Sequence, residues 1–190
     1  MNGFRQRSIA SITFLFLIIL SGCGGSTSVG TTSFSPPSGT VGTTVTIVGL
    51  NFDTTAENNS VAFNGTLAVV SSSTSTKIIT TVPLGATTGP ITVTVNGLTG
   101  TSSSNFIVIP SITGFSPASG SVGTTVTIHG TGFDPSVIND TAIFNTADAV
   151  ITSVTSTSIV TKVPSSATSG QITVMVNGQP SISSAIFTVL

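Results

Sequence analysis

The chain has 190 residues, of which only four are Lys or Arg and five are Asp or Glu. This charged share of 5% compares with about 25% in ordinary soluble domains. Four cations cannot form the basic patch that phosphate binding requires, so the composition excludes a nucleic-acid partner. One Cys and one His likewise exclude a structural zinc site and an internal disulfide.

The amino-terminal segment is typical of an export signal. Arg5 and Arg7 give it a positive start, and a largely apolar run then extends from Ile9 to Leu20. A membrane-spanning helix needs about 20 apolar residues, so this shorter run suits the core of a signal peptide instead. The sequence therefore predicts a signal peptide over residues 1–22.

The end of this run, Leu20-Ser21-Gly22-Cys23, resembles a bacterial lipobox. In lipoproteins with this motif the Cys thiol carries a diacylglycerol, the chain is cut before the Cys, and the new amino terminus is acylated. The resemblance implies lipidation at Cys23 by palmitate-type chains, each contributing about 0.8 kcal/mol per CH₂ buried in the membrane. Gly24 follows the Cys where an Asp would favour the inner membrane, so the resemblance favours the outer membrane and leaves surface exposure open. Residues 23–33, rich in Gly, Ser and Thr, are predicted to form a flexible tether.

The rest of the chain consists of two copies of one unit. Phe34-Ser35-Pro36 recurs as Phe115-Ser116-Pro117, and the same offset of 81 residues pairs Asn96-Gly97 with Asn177-Gly178 without a gap. A unit of about 80 residues can bury its own core. We therefore predict two domains, 34–109 and 110–190, whose short junction at Pro110 restricts their relative orientation.

Both units show the alternation of apolar and hydroxyl residues that indicates half-buried β-strands. Thr44-Val45-Thr46-Ile47 is an example, and the Asn-Gly pairs suit hairpins before the last strand. Seven short strands in about 80 residues are typical of an immunoglobulin-like sandwich. In the second unit the predicted strands are 111–115, 124–129, 141–145, 148–153, 158–163, 170–176 and 185–190.

The spacing of several residues also resembles a known family. The run from Ile112 through Phe115-Ser116-Pro117, Gly120, Gly123 and Phe133 is similar to the opening of an IPT/TIG domain, and Phe144-Asn145 and Val163-Pro164 fit its later part. The resemblance implies an all-β fold of two tandem immunoglobulin-like (IPT/TIG, early-set) β-sandwiches after a signal peptide. That family includes receptors, adhesins, transcription factors and polysaccharide-acting enzymes, so it implies interaction or spacing without specifying a ligand.

Few residues are candidates for chemistry. His129 falls on an outward strand position, its counterpart in the first unit is Val48, and no G-x-S-x-G motif accompanies it. Asp53 and Asp134 occupy equivalent positions after a Phe. We interpret them as Asx-turn residues, because calcium takes six to eight oxygen ligands and the only other acids are Glu57, Asp140 and Asp148. The sequence predicts no enzyme activity, no catalytic residue, no metal and no cofactor.

The surface offers more to a binding function. Eight Phe recur as four equivalent pairs, which is typical of core residues, and sugar-binding Trp and Tyr are missing from the sequence. Alternation places Ile79, Val160, Ile143 and Met175 on outward faces, where they could form a contact patch. The edge strands lack the charges that usually block strand addition by a partner.

Together these features predict a lipid-anchored cell-envelope protein whose tandem domains act as a non-catalytic binding or adhesion module. The expected partners are the membrane, through the lipid, and a protein or a glycan. Two alternatives stay open: a structural spacer of an envelope or surface assembly, and an accessory to polysaccharide processing.

Overall fold

The computed structural model describes residues 28–190, so the predicted signal peptide and Cys23 lie outside the described residues. This part of the chain forms two β-sandwiches, which we call the first domain (up to Val108) and the second domain (from Ser111). Within residues 28–190 no helix is long and apolar enough to cross a membrane.

The two domains repeat the same order of elements. The first contains β1 (Gly30–Ser35), β2 (Ser38–Gly39), β3 (Thr44–Leu50), a 3₁₀ helix (Ala56–Asn58), β4 (Asn59–Phe63), β5 (Thr66–Ala68), β6 (Val70–Thr74), β7 (Lys77–Thr81), β8 (Gly89–Val95) and β9 (Leu98–Val108). The second contains β10 (Ser111–Ser116), β11 (Ser119–Gly120), β12 (Thr125–Thr131), a 3₁₀ helix (Val137–Asn139), β13 (Asp140–Phe144), β14 (Ala147–Ala149), β15 (Ile151–Thr155), β16 (Ser158–Lys162), β17 (Gly170–Val176) and β18 (Gln179–Val189).

Each domain has a four-stranded and a five-stranded sheet. In the first domain the strand orders are β1-β3-β7-β6 and β2-β9-β8-β4-β5, and the second domain repeats them as β10-β12-β16-β15 and β11-β18-β17-β13-β14. The pairing is antiparallel except where β2 meets β9 and β11 meets β18. The predicted all-β fold of two tandem sandwiches is confirmed.

Alternating residues of the facing sheets fill the core of each domain. Val45 and Ile47 on β3 are fully buried, as alternation predicts. Phe63 and Phe106 meet edge to face with ring centroids 5.1 Å apart, and Phe144 and Phe187 repeat this contact at 5.1 Å. Burying such a side chain contributes about 1.5–3 kcal/mol, so the recurring Phe pairs are core residues, as predicted.

The structure corrects the amino-terminal limit of the first sandwich. β1 begins at Gly30, inside the range 23–33 that composition assigns to a tether, and it pairs with β3 from Gly30–Leu50 to Ser35–Thr46. Gly, Ser and Thr are common in linkers, but Thr also favours strands. Because residues 30–35 pair with β3, they form a strand and not part of the tether.

Two strand predictions in the second domain are also corrected. The predicted strand 148–153 is divided into β14 and β15, which belong to different sheets. The last strand begins at Gln179 and not at 185, directly after the hairpin turn of Asn177 (φ 48°) and Gly178 (φ 79°). Positive φ at both positions is what an Asn-Gly hairpin turn requires, so the predicted hairpin itself is confirmed.

Candidate functional site

The candidate residues found by sequence fall into separate regions. Cys23 lies outside the described residues, so its lipidation stays a prediction. His129 lies on β12, where its side chain is exposed and its backbone is paired with Ser158 and Gly114. This matches the predicted exposed strand position.

Asp53 forms the predicted Asx turn in the first domain. Its Oδ1 accepts a hydrogen bond from the backbone N–H of Thr55 at 2.8 Å, and its Oδ2 accepts one from Asn58 Nδ2 at 3.1 Å. These two hydrogen bonds hold the pKa of the Asp53 carboxyl below its ordinary value of 3.8. The carboxylate therefore orders the loop before β4.

Asp134 does the same in the second domain. Its Oδ1 accepts from the N–H of Ser136 at 2.9 Å, and its Oδ2 accepts from Asn139 Nδ2 at 2.9 Å and Asn177 Nδ2 at 3.2 Å. Among residues 28–190, no group of three or more His, Cys, Asp or Glu side chains is arranged to hold a metal ion. The hydrogen bonds from Thr55 to Asp53 and from Ser136 to Asp134 make both acids Asx-turn residues.

The suggested apolar contact patch stays a prediction. Ile79, Val160, Ile143 and Met175 are only partly exposed. They lie on strands with a neighbour on each side; Ile79, for example, faces Thr46 on one side and Ser72 on the other. Cross-strand neighbours cover much of an outward side chain in such positions.

Several of the most exposed apolar side chains lie beside the points where the chain changes sheets. In the first domain Val69 connects β5 to β6 and is 79% exposed, and nearby Leu67 is 70% exposed. In the second domain the connecting residue Val150 is 79% exposed, and Ile138 of the 3₁₀ helix is 87% exposed. We call these four residues the crossover surface. Alternation alone did not reveal it, because the pattern does not show where a strand passes from one sheet to the other.

A buried threonine fixes each crossover. Thr80 is buried on β7, and its hydroxyl donates a hydrogen bond of 2.7 Å to the carbonyl oxygen of Val69. Thr161 is buried on β16 and donates in the same way to Val150 at 2.8 Å. The carbonyl turns toward the core, and the Val side chain turns toward solvent. The exposure of Val69 and Val150 is therefore built into both domains.

An open groove adjoins the crossover surface of the first domain. It has a volume of about 360 Å³ and lies between the 3₁₀ helix Ala56–Asn58 and residues 67–70. Glu57 is the one charged residue in its lining. The groove and the exposed Val and Leu together offer an apolar contact at a sheet edge, since β5 and β6 are each the last strand of their sheet.

The comparisons with known proteins follow the domain division. A family model described as the IPT/TIG domain matches residues 31–107 and 110–189. No curated protein matches the chain.

Several solved structures are similar. A putative phosphatase from Bacteroides thetaiotaomicron shares 30% identity over 45% of this chain and 19% of its own, with a TM-score of 0.43. A surface glycan-binding protein from Prevotella bryantii shares 20% identity over 80% of this chain and 38% of its own, with a TM-score of 0.50. An auxiliary nutrient binding protein from Bacteroides ovatus shares 18% identity over 64% of this chain and 28% of its own, with a TM-score of 0.42. The chain spans less than half the length of each.

Proposed function

The chain belongs to the IPT/TIG domain family, and from this premise we propose that it is a non-catalytic binding module of the cell envelope. The observation that carries the proposal is the crossover surface, which exposes apolar side chains at equivalent connections of both domains. A solvated Val or Leu gains about 1.5–3 kcal/mol when a partner buries it fully. Two such residues beside a groove provide an apolar centre for a contact, to which the rest of an interface must add.

The crossover surface also lies at free strand edges. Within residues 28–190, β5 pairs only with β4 and β6 pairs only with β7, so each has one side without a strand partner there. Unpaired backbone groups at an edge can accept an extended segment, and neighbouring pockets then select its side chains. An extended protein segment is the partner that this geometry fits best. A glycan is the second class, and its support is the similarity in fold to the surface glycan-binding protein from Prevotella bryantii.

The anchoring part of the proposal depends on the sequence. Lipidation of Cys23 would hold the chain at a membrane, in the outer membrane by the resemblance described above. Residues 24–29 then form the link from the lipid to β1. On this arrangement the module acts at the envelope and performs no chemistry of its own.

Site-specific photo-crosslinking in intact cells tests the binding surface. A photoreactive residue is placed at Val69, at Val150, and at the exposed Ser103 of β9 as a control. We expect discrete adducts from the two crossover positions and none from Ser103. Equal adducts at all three positions would contradict the proposal.

Retention of the purified chain on isolated envelope material then separates the partner classes. Leu67→Ser with Val69→Ser is expected to lower retention at least tenfold, since two apolar contacts are lost. Ile182→Ser with Ile186→Ser is the matched control, because these residues of β18 expose a comparable apolar surface elsewhere (59% and 63% exposed). Protease treatment of the envelope material removes a protein partner and leaves a glycan.

Metabolic labelling with a clickable fatty acid tests the anchor. The wild-type chain should be labelled and remain in the membrane fraction, whereas Cys23→Ala should lose both properties. A labelled, membrane-bound Cys23→Ala variant would show that Cys23 is not the anchor, without affecting the crosslinking result.

A further inference from the structure

The two domains differ at one buried polar position. β4 begins with Asn59 and β13 begins with Asp140, 81 residues later. Both side chains are buried, with 5% and 7% of their surface exposed. An amide has been exchanged for a carboxyl group inside an otherwise repeated structure.

Asn59 is a hydrogen-bonding centre in the first domain. Its Oδ1 accepts from the N–H of Asp53 at 3.0 Å. Its Nδ2 donates to the carbonyl oxygens of Asp53 and Thr55, each at 2.9 Å, and lies 3.5 Å from that of Ala56. The amide N–H₂ group therefore holds the loop between β3 and β4 in place, because it donates to the backbone carbonyl groups of that loop.

The corresponding loop of the second domain shares two of these backbone features, although the hydrogen bond from the Asn59 N–H to the Ala56 carbonyl has no counterpart at Asp140. The N–H of Asn139 donates to the carbonyl of Ser136 at 3.0 Å, as Asn58 does to Thr55 at 3.2 Å. The two Asx turns also match, with 2.9 Å in the second domain and 2.8 Å in the first. This correspondence predicts that carbonyl groups of residues 134–137 face Asp140, as those of residues 53, 55 and 56 face Asn59.

Asp140 keeps only the accepted hydrogen bond of this network. Its Oδ1 still accepts from the N–H of Asp134, at the longer distance of 3.4 Å. Its Oδ2 is buried and has no hydrogen-bond partner. An ionised carboxylate can only accept hydrogen bonds, so it offers nothing to the surrounding carbonyl oxygens, and a buried polar atom without a partner is costly.

We propose that Asp140 is held as a neutral carboxylic acid whose O–H donates to a backbone carbonyl of residues 134–137, so that a proton closes the loop that an amide closes in the first domain. A carboxylic acid is close in size and shape to the amide that it replaces. When the proton leaves, this hydrogen bond is lost, and the loop carrying the 3₁₀ helix Val137–Asn139 is released.

The groups around Asp140 favour its protonated form. Burial raises the pKa of the Asp140 carboxyl to about 7, the N–H of Asp134 opposes the rise, and the negative charge of Asp134 adds to it. The elements packed against Asp140 add no other charge, because β15, β17 and the 3₁₀ helix contain no titratable residue. Asp148 is exposed on β14, opposite Ile143, and His129 and Lys162 belong to the other sheet.

A metal cation is the alternative to a proton at Asp140. Calcium takes six to eight oxygen ligands, and the loop offers one free carboxylate oxygen with three carbonyl groups. The carboxylate oxygens of Asp134 are already engaged by Ser136, Asn139 and Asn177. The geometry therefore fits a proton better than a cation.

Nuclear magnetic resonance of the full chain in detergent tests the proposal. The side-chain carboxyl carbon of Asp140 should titrate near pH 7, far above the ordinary value of 3.8. Hydrogen exchange at the Asp134 amide should accelerate between about pH 4 and pH 7, beyond the general base dependence seen at the Asp53 amide. Asp140→Asn should remove this excess, and the mirror variant Asn59→Asp should introduce it in the first domain.

Three results would overturn the proposal: titration of Asp140 near its ordinary value, an Asp140→Asn variant that keeps the excess exchange, or an unaltered first domain in a folded Asn59→Asp variant. Addition of Ca²⁺ or Na⁺ at pH 8 tests whether a cation, and not a proton, closes the loop. If either ion restores slow exchange in the wild type and not in Asp140→Asn, the site binds a cation and the proton assignment is wrong.

Discussion

The hydroxyl of Thr80 lies 2.7 Å from the carbonyl oxygen of Val69 and joins the interior of the first domain to its most exposed valine. Thr161 and Val150 repeat the relationship at 2.8 Å. A residue fully inside the core thus determines which way a surface residue points. The exposure of the valine is a consequence of where the threonine donates its proton.

Removing this donor should cost stability in one domain only. Thr80→Val keeps the size and β-branching of the side chain but leaves the Val69 carbonyl without its partner, which we expect to lower the free energy of unfolding by about 1–3 kcal/mol. Denaturant titration of the full chain measures the loss. Thr101→Val, at an exposed position of β9, is the control and should change stability by less than about 0.5 kcal/mol; equal losses would contradict the role of Thr80.

Gly130 on β12 is required by close packing. A Cβ at this position would collide with the backbone carbonyl of Ser111 and the ring of Phe133, so Gly130→Ala should destabilise the second domain by about 1–3 kcal/mol or more. Gly114→Ala is a matched control in the neighbouring strand β10, because a Cβ there meets nothing within 4 Å. Thermal unfolding of the two variants should differ by several degrees, and similar melting temperatures would show that the strands can separate at little cost.

The first domain should weaken in acid through Asp53. Because hydrogen bonds lower the pKa of this carboxyl in the folded state, its contribution is complete above the ordinary value of 3.8 and is lost as the pH falls through the lower folded value. Asp53→Asn should flatten the dependence of the first domain's stability on pH below pH 4.

Asp140 has the opposite effect on stability. Its raised pKa makes the second domain lose stability as the pH rises from about 4 to about 7.

A pH series of thermal melts checks the opposite signs. If Asp53→Asn leaves the acid limb of the profile unchanged, the hydrogen bonds to Asp53 contribute nothing to the titration.

The domains should unfold as separate units, since each has its own hydrophobic core. Phe106→Ala removes one half of the aromatic contact in the first domain and should lower its stability by about 3–5 kcal/mol. The second domain should keep its own unfolding transition. The nuclear magnetic resonance signals of isotopically labelled Phe187 would report that transition. A simultaneous loss of both transitions would show strong coupling between the domains.

Sequence reasoning was sufficient for the features that follow from a regular pattern. The offset of 81 residues, the alternation around Ile47 and the recurrence of Phe63 as Phe144 predicted the two sandwiches and much of their cores. The Asn177-Gly178 hairpin was predicted by its turn chemistry. These features depend on local backbone preference and on which face of a strand is apolar.

The crossover surface and the network around Asp140 could not be predicted in the same way. Val150 stands in an apolar sequence that reads as one strand, and only tertiary packing divides that strand between two sheets. Asp140 is unremarkable in the sequence until its counterpart, Asn59, is seen to donate to the backbone. The comparison of equivalent positions was the available signal, because an Asn-to-Asp difference at one buried site changes which hydrogen bonds are possible.

The constant period of the chain has a consequence for how the number of domains can change. β1 begins at Gly30 and β10 begins at Ser111, so the spacing of 81 residues separates corresponding points in every element of the two domains. Recombination between the two halves of the gene would remove or add one period in frame and leave each remaining sandwich intact. The length of the folded array could thus change in steps of one whole domain, without an intermediate that fails to fold.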